Sequence, residues 1–330
     1  NNFYKFILLI FPLFFYYNFT FSKSNDSPNL DIKIKKEITW DEWIEKTKNS
    51  LRNKKFQKST IEYLNTIKFN TRVIELDRKQ PEFRLTFDNY LKKIITPMNK
   101  KKINSEYKKN QQLFLQIEKQ YNVSSKVLAA LWGIETSFGK HLGKLDILGS
   151  LASLAYDGRR RDFFTKELEN ALTILDKGHF DRNLFKGSWA GAFGQTQFMP
   201  STFLKYAVDF DGDSKKNLFR KGDALASGAN YLSTIGWNNE VMWGEKVKIE
   251  LNKNIRKLSK TKEYKNEQFW EANGVKLKNS YDNNKLRLVL PDSNNNNDCY
   301  LVSKNFDVIL NWNRSNYFAL TVFLFSDEIK

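Results

Sequence analysis

The sequence predicts a mainly α (α+β) protein: a large helical domain, a small strand-containing insertion, and a closing C-terminal helix. Three observations carry this reading. Apolar residues recur at three- and four-residue spacing through most of the chain up to about residue 243. Strict alternation is confined to short runs such as Val247 to Leu251 and Leu286 to Leu290. Helical spacing then returns from Phe306 to Phe325. With 330 residues, 41% of them hydrophobic and 15% aromatic, the chain can bury a large core, which excludes wholesale disorder.

At the start, Lys5 precedes an apolar run from Phe6 to Phe15 that is too short for a comfortable membrane helix and is followed by polar Ser22 to Asn25. Residues 1–25 therefore read as an export signal, with an uncleaved anchor as the other form, and 26–38 as a linker. A first helix is expected from Thr39, with Trp40, Trp43 and Ile44 on one face, and a second around Ile61, Leu64 and Ile67. Pro81 breaks the pattern, so residues 77–83 are expected to be extended. Helices follow at about 86–95, 105–121, 124–138, 161–177, 200–208 and 222–235. The helical domain is thus expected over 39–243, the β-containing insertion over 244–303 with an Asn-rich loop at 292–298, and the closing helix within 304–330.

The 54 Lys+Arg against 37 Asp+Glu leave a formal charge of +17, a surface that attracts polyanions. The basic residues are scattered in pairs such as Lys35-Lys36 and Lys54-Lys55, with neither zinc-finger spacing nor the aromatic-basic pattern of an RNA-binding sheet. Nucleic acid is therefore not the expected partner. One cysteine, Cys299, excludes an intrachain disulfide and a cysteine-built metal site, and His141 and His179 alone cannot complete a zinc site.

The sharpest segment runs from Ser124 to Gly139. Ser124 is placed to cap a helix and Gly139 to stop it, and Leu128, Leu131 and Glu135 share one face. A lone carboxylate on that apolar stripe, flanked by Trp132 and Phe138, is desolvated, and it sits in the last turn, where the helix dipole disfavours negative charge. Both effects raise its pKa toward that of a general acid. By itself this also describes a structural glutamate. The segment Gly187-Ser188-Trp189-Ala190-Gly191-Ala192-Phe193-Gly194-Gln195-Thr196-Gln197-Phe198-Met199-Pro200 reads as a glycine-rich loop opening into a helix at the proline. Its small residues allow a ligand close to the backbone, and Ser188, Gln195 and Gln197 supply neutral polar groups suited to sugar hydroxyls and acetamido groups. Asp146, Asp157 and Asp162 are further carboxylates, and their spacing singles out none of them.

Trp132-Gly133-Ile134-Glu135-Thr136, the 187–200 loop, Ala229-Asn230-Tyr231-Leu232 and Asn311-Trp312-Asn313-Arg314 occur in an order that resembles the lytic transglycosylases, and among them the lytic murein transglycosylase B family. The resemblance covers about residues 38–328. It implies a lysozyme-like fold with Glu135 as the single catalytic acid/base. It implies Arg159 and Arg160 along a substrate groove, Tyr90 near its mouth, and Ser188, Gln197, Tyr231, Trp312 and Asn313 against sugar or acetamido groups. The implied partner is the peptidoglycan glycan strand, with wall-synthesis proteins beside it, in the periplasm of a Gram-negative cell. No cofactor is required. A lysozyme-like hydrolase and a non-catalytic wall-binding protein are the alternatives.

Asp209, Asp211, Asp213 and Asn217 fall at positions 1, 3, 5 and 9 of an EF-hand-like loop, and the resemblance carries a calcium loop here. The glycine stands at position 4, and position 12 is Arg220 in place of glutamate, with Asp223 three residues beyond. A structural calcium and a metal-free turn held by Asx hydrogen bonds are both compatible with this pattern.

Overall fold

The computed structural model describes residues 38–78, 85–281, 284–292 and 299–330. The export signal, all but the last residue of the expected linker, and most of the Asn-rich loop lie outside these residues. Thr39 caps α1 (Trp40–Asn53) with a reciprocal capping box to Glu42, burying Trp43, Ile44 and Leu51. Two short helices follow, α2 (Lys58–Glu62) and α3 (Thr71–Arg78). Ile67 lies in the loop between them, so the second expected helix is shorter than its apolar spacing suggested. Asp77 and Arg78 belong to α3, so the extended connection expected over 77–83 does not begin at Asp77, and the rest of that stretch lies outside the described residues.

The next group is α4 (Phe87–Ile94), α5 (Pro97–Lys109), α6 (Gln111–Tyr121) and α7 (Ser125–Thr136). The single helix expected over 105–121 is two helices broken at Asn110. The first begins eight residues earlier than expected, with Thr96 as cap and Pro97 in the first turn. Only Ile103 of α5 is fully buried, so it presents no apolar stripe for periodicity to detect. The opposite case is α8 (Ile147–Asp157), which was not expected: it is buried on nearly every side, and a helix apolar all round has no stripe either. Then come α9 (Arg161–Asp176), α10 (Pro200–Tyr206) and α11 (Lys221–Thr234). A two-residue ribbon, β1 (Leu145–Asp146) with β2 (Lys186–Gly187), ties the start of α8 to the glycine-rich loop.

The insertion holds a three-stranded antiparallel sheet in the order β3 (Gly244–Val247), β5 (Cys299–Val302), β4 (Arg287–Val289). It also contains α12 (Lys253–Thr261) and α13 (Glu267–Ala272), which alternation did not reveal. The alternating run from Val247 leaves the sheet almost at once, to reach Asn252, the cap of α12. The closing helix is two, α14 (Lys304–Trp312) and α15 (Asn316–Ser326), because Asn313 turns extended and Ser315 caps a new start.

Three apolar cores result. One gathers α4 to α7, α11, α14 and α15; a second gathers α1 to α3 with α8 to α10; and a third, around Trp270 and Leu288, belongs to the insertion. Tyr231 and Trp312 pack against both of the first two, so the seam between those cores passes through residues singled out in the sequence. The whole is mostly helical with small sheets, in keeping with the expected α+β class and lysozyme-like architecture.

Candidate active site

Glu135 is the penultimate residue of α7, whose cap Ser124 accepts the Val127 amide. The helix is buried almost all round because Ala129, Ala130 and Gly133 let neighbouring elements close in; a side chain at Gly133 would strike Phe138 at 2.7 Å. It stops at Thr136, and Ser137, Phe138 and Gly139 then turn through consecutive left-handed conformations. That turn brings Phe138 back edge-on to Trp132 at 5.3 Å. Glu135 keeps one partly exposed edge but is otherwise enclosed, and burial raises its carboxyl to about 8 against an ordinary value of 4.5. The counteracting influence is Trp312, whose indole Nε1 donates to Glu135 Oε1 at 2.9 Å. Tyr90, buried on α4, is close enough to Glu135 that the carboxylate, after burial, adds to the upward pressure on its phenol.

The 187–200 loop is folded by its own backbone. The Ser188 amide donates to the Ala192 carbonyl at 2.8 Å, the Ser188 hydroxyl accepts the Ala192 amide at 3.1 Å, and Phe193 pairs with Phe198. Phe193 is anchored among Phe180, Phe185 and Phe203. Gln195 faces inward: its amide oxygen accepts from Trp132 Nε1 and its nitrogen donates to the Phe219 carbonyl, both at 2.8 Å. The sequence offered Gln195 as a group for sugar; the structure commits it to joining the loop to α7. Gln197, held at φ 49°, uses its amide nitrogen on the Gly194 and Leu142 carbonyls, and its amide oxygen takes no partner among the described residues.

Trp312 stands at the end of α14 among Phe198 and Tyr231, each with its ring centroid 5.4 Å away. Tyr231 donates to the Asn311 carbonyl at 2.9 Å and meets Tyr206 edge-on at 4.7 Å. Gly228 on α11 keeps this wall thin, since a side chain there would lie 3.4 Å from the Trp312 ring. Phe198 and Tyr206 were not singled out by the sequence reading. Phe198 lay inside the quoted loop, whereas Tyr206 had no signal, being brought in only by α10. Asn313 Oδ1 accepts the Ser315 amide at 3.1 Å, which sets the break after α14.

Arg159 and Arg160 gather elsewhere, at the turn between α8 and α9. Both pair with buried Asp77 of α3, and Arg160 also lies over the Phe164 ring at 4.8 Å. Arg159 remains half exposed and keeps a face for a ligand.

In the acidic loop, one carboxylate oxygen each of Asp209, Asp211 and Asp223 come within 4.8 Å of one another, a donor set suited to a hard cation. Their mutual charge, second to burial, adds to the upward push on Asp223. Asp213 and Asn217 stand outside this trio: Asn217 accepts the Phe219 amide, and Asp213 pairs with Arg220, which also reaches Asp211 at 3.1 Å. Asx hydrogen bonds from Gly212 and Ser214 to Asp209 shape the turn as well. The carboxylates therefore fit an ion, with Arg220 as its internal competitor.

A family model described as the transglycosylase SLT domain matches residues 39–327. Over 164 residues the chain is 37% identical to membrane-bound lytic murein transglycosylase B of Escherichia coli, a match spanning 49% of this chain and 44% of that relative. The fold is similar to SltB3 of Pseudomonas aeruginosa in complex with NAG-anhNAM-pentapeptide, with 33% identity, a TM-score of 0.83, and 88% of this chain and 79% of that one covered. It is similar also to the Escherichia coli lytic transglycosylase Slt35 in complex with calcium, at 27% identity and a TM-score of 0.73, covering 87% and 92% of the two chains. Matched along nearly all of its described length, the chain belongs to the transglycosylase SLT domain family.

Proposed function

We propose that the protein is a peptidoglycan lytic transglycosylase that cleaves the bond between N-acetylmuramic acid and N-acetylglucosamine without adding water. The observation that carries this is Glu135: a carboxyl kept protonated near neutrality by burial, with one charge-favouring contact, from Trp312. Glycosidases that work with two carboxylates hold them within about 5–10 Å. Among the described residues, burial and the Trp312 indole govern Glu135, with no second carboxylate acting on it. The neutral groups of Ser188 and Gln197 instead suit a substrate acetamido group.

Glu135 donates its proton to the glycosidic oxygen as the bond to C1 breaks, and the N-acetylglucosamine leaves with a free hydroxyl. The acetamido oxygen of the muramoyl sugar takes up the positive charge at C1. Now ionised, and stabilised by the Trp312 indole, Glu135 removes the proton from the C6 hydroxyl. O6 attacks C1, the acetamido group is released, and a 1,6-anhydro ring closes with Glu135 protonated again. Tyr90 stands near the acid, Tyr231, Trp312 and Phe198 give the sugar an apolar wall, and Asn313, Arg159 and Arg160 complete the contacts farther along. SltB3, a relative, has been seen with both NAG-NAM-pentapeptide and NAG-anhNAM-pentapeptide, as this reaction would require of substrate and product.

Asp209, Asp211 and Asp223 hold a calcium ion on this reading, clamping the loop to the start of α11 and taking no part in the cleavage. The expected site of action is the periplasm. Among the described residues no helix is long and apolar enough to cross a membrane.

Mass spectrometry of soluble products from purified sacculi tests the proposal. Fragments ending in 1,6-anhydromuramic acid, absent with Glu135→Gln, are expected. Reducing ends would mean a hydrolase, and binding without fragments would mean a wall-binding module; either refutes it.

A further inference from the structure

Trp312 meets Glu135 only if α14 is correctly placed, and the start of α14 is in contact with the insertion. The apolar side of the helix, with Phe306 and Ile309, is buried in the first core. Apolar contact is non-directional and allows a helix to slide or turn by a fraction of a residue. The indole has no such freedom: its bond to Glu135 is 2.9 Å long, and a displacement of about 1 Å would take it out of hydrogen-bonding range. A directional contact is needed to set the helix.

Asp307, in the first turn of α14, makes one. One of its carboxylate oxygens accepts from Arg287 Nη2 at 2.5 Å and Nε at 3.2 Å, and the other accepts from the Tyr264 hydroxyl. Arg287, on β4, is 2% exposed and lies over the Phe306 ring at 5.0 Å; Asp307 is its one ionic partner among the described residues. An unpaired guanidinium is costly in the interior, so the pair favours one register of α14 against β4. One turn on, the Asn311 side chain donates back to the Asp307 carbonyl, and Tyr231 donates to the Asn311 carbonyl, both at 2.9 Å. Trp312 is the next residue.

The strand side of this clamp is itself fixed. Arg287 stands opposite Val302 of β5, and its neighbour Leu286 exchanges both backbone hydrogen bonds with Lys265 at 2.7 and 2.8 Å. Five residues beyond Arg287, Asp292 accepts the Phe87 amide of α4 at 2.8 Å and the Tyr317 hydroxyl of α15. α4 carries Tyr90, and Phe325 of α15 lies against Gly133 of α7. One short segment of the insertion therefore grips α4, α14 and α15 around the acid.

We propose that Asp307, held by Arg287 and Tyr264, is a positioning residue for the reaction: through it the insertion sets α14 so that the Trp312 indole meets Glu135. The inference rests on the reading of Glu135 as the acid, stabilised by Trp312 once ionised.

The test is the pH profile of kcat/KM on solubilised glycan strands for the wild type, Asp307→Asn, Trp312→Phe and the double variant. Tyr90, the titratable group that feels the Glu135 charge, is unchanged in all of them. In Asp307→Asn the alkaline limb should move up by about half a pH unit or more, toward the position expected for Trp312→Phe. The double variant should move no further than Trp312→Phe alone, because the bond that Asp307 secures is already gone. Should Asp307→Asn not fold, Tyr264→Phe, which keeps the ion pair, takes its place with a smaller shift in the same direction. A limb that stays in place in the folded clamp variant, however far its melting temperature falls, overturns the proposal, as does a double-variant shift equal to the sum of the two. Packing and Asn305, which donates to the Asn238 and Val241 carbonyls, would then hold α14 without the ion pair. A limb unmoved even in Trp312→Phe would instead refute the reading of the acid on which the proposal rests.

Discussion

Substituting Glu135 by glutamine should make the protein more stable as well as inactive, and by an amount that depends on pH. The folded carboxyl titrates at about 8 and the unfolded one near 4.5, chiefly because folding buries it. Folding therefore favours the protonated form. That contribution is fully present below pH 4.5, is lost progressively as pH rises from 4.5 to 8, and does not change further above 8. Each pH unit in this window removes about 1.4 kcal/mol, so by pH 7 about 3 kcal/mol has gone. The partly exposed edge of Glu135 lets water reduce the penalty, which makes about 2–3 kcal/mol the better expectation. Glutamine fills the same space, can still accept from the Trp312 indole, and never ionises.

The assay is thermal unfolding of both proteins across pH 4 to 9. At pH 4 the two melting temperatures should nearly coincide. At pH 7 the variant should melt higher, by roughly 4–10 °C at the few degrees per kcal/mol usual for domains of this class. A gap that does not vary with pH, or a variant that is less stable at pH 8, would refute the idea that the site stores this energy in an acid held out of water.

Trp312→Phe keeps the packing on Phe198 and Tyr231 but removes the donor to Glu135, so the alkaline limb of kcat/KM should move up by about one pH unit, the worth of a hydrogen bond to a charged group; a limb that stays or moves down would contradict the assignment. Gln195→Leu strands the Trp132 indole donor and the Phe219 carbonyl in the interior, with an expected loss of about 2–4 kcal/mol in urea unfolding; a loss under about 1 kcal/mol would mean that the loop does not depend on this clamp. Calcium added to chelator-treated protein should raise Tm, and more so in Arg220→Gln, where no guanidinium competes for Asp211 and Asp213; an unchanged Tm in both proteins would leave the loop metal-free.

Much of what makes Glu135 a candidate acid was legible in the sequence. Its position in the last turn and its apolar neighbours Leu128 and Leu131 follow from helix geometry alone, which is why a raised pKa can be inferred from that one segment. Elements were legible where one face is apolar, as in α1, and were missed where burial is nearly absent, as in α5, or nearly complete, as in α8. Side-chain direction was not legible. Gln195 and Gln197 sit two residues apart in one polar loop, yet the first spends its amide oxygen on Trp132 and the second keeps its own without a partner among the described residues.

The sequence by itself determined the mainly helical class, through the spacing of its apolar residues, and marked Glu135 as a candidate acid, a role that only the family resemblance assigned to it. Only the tertiary structure decided that Trp312, 177 residues from Glu135, supplies its hydrogen bond, that Asp77 claims both arginines, and that Tyr206 joins the aromatic wall. A contact between distant segments depends on how whole helices pack, and neighbouring residues carry no record of the partner that packing will bring.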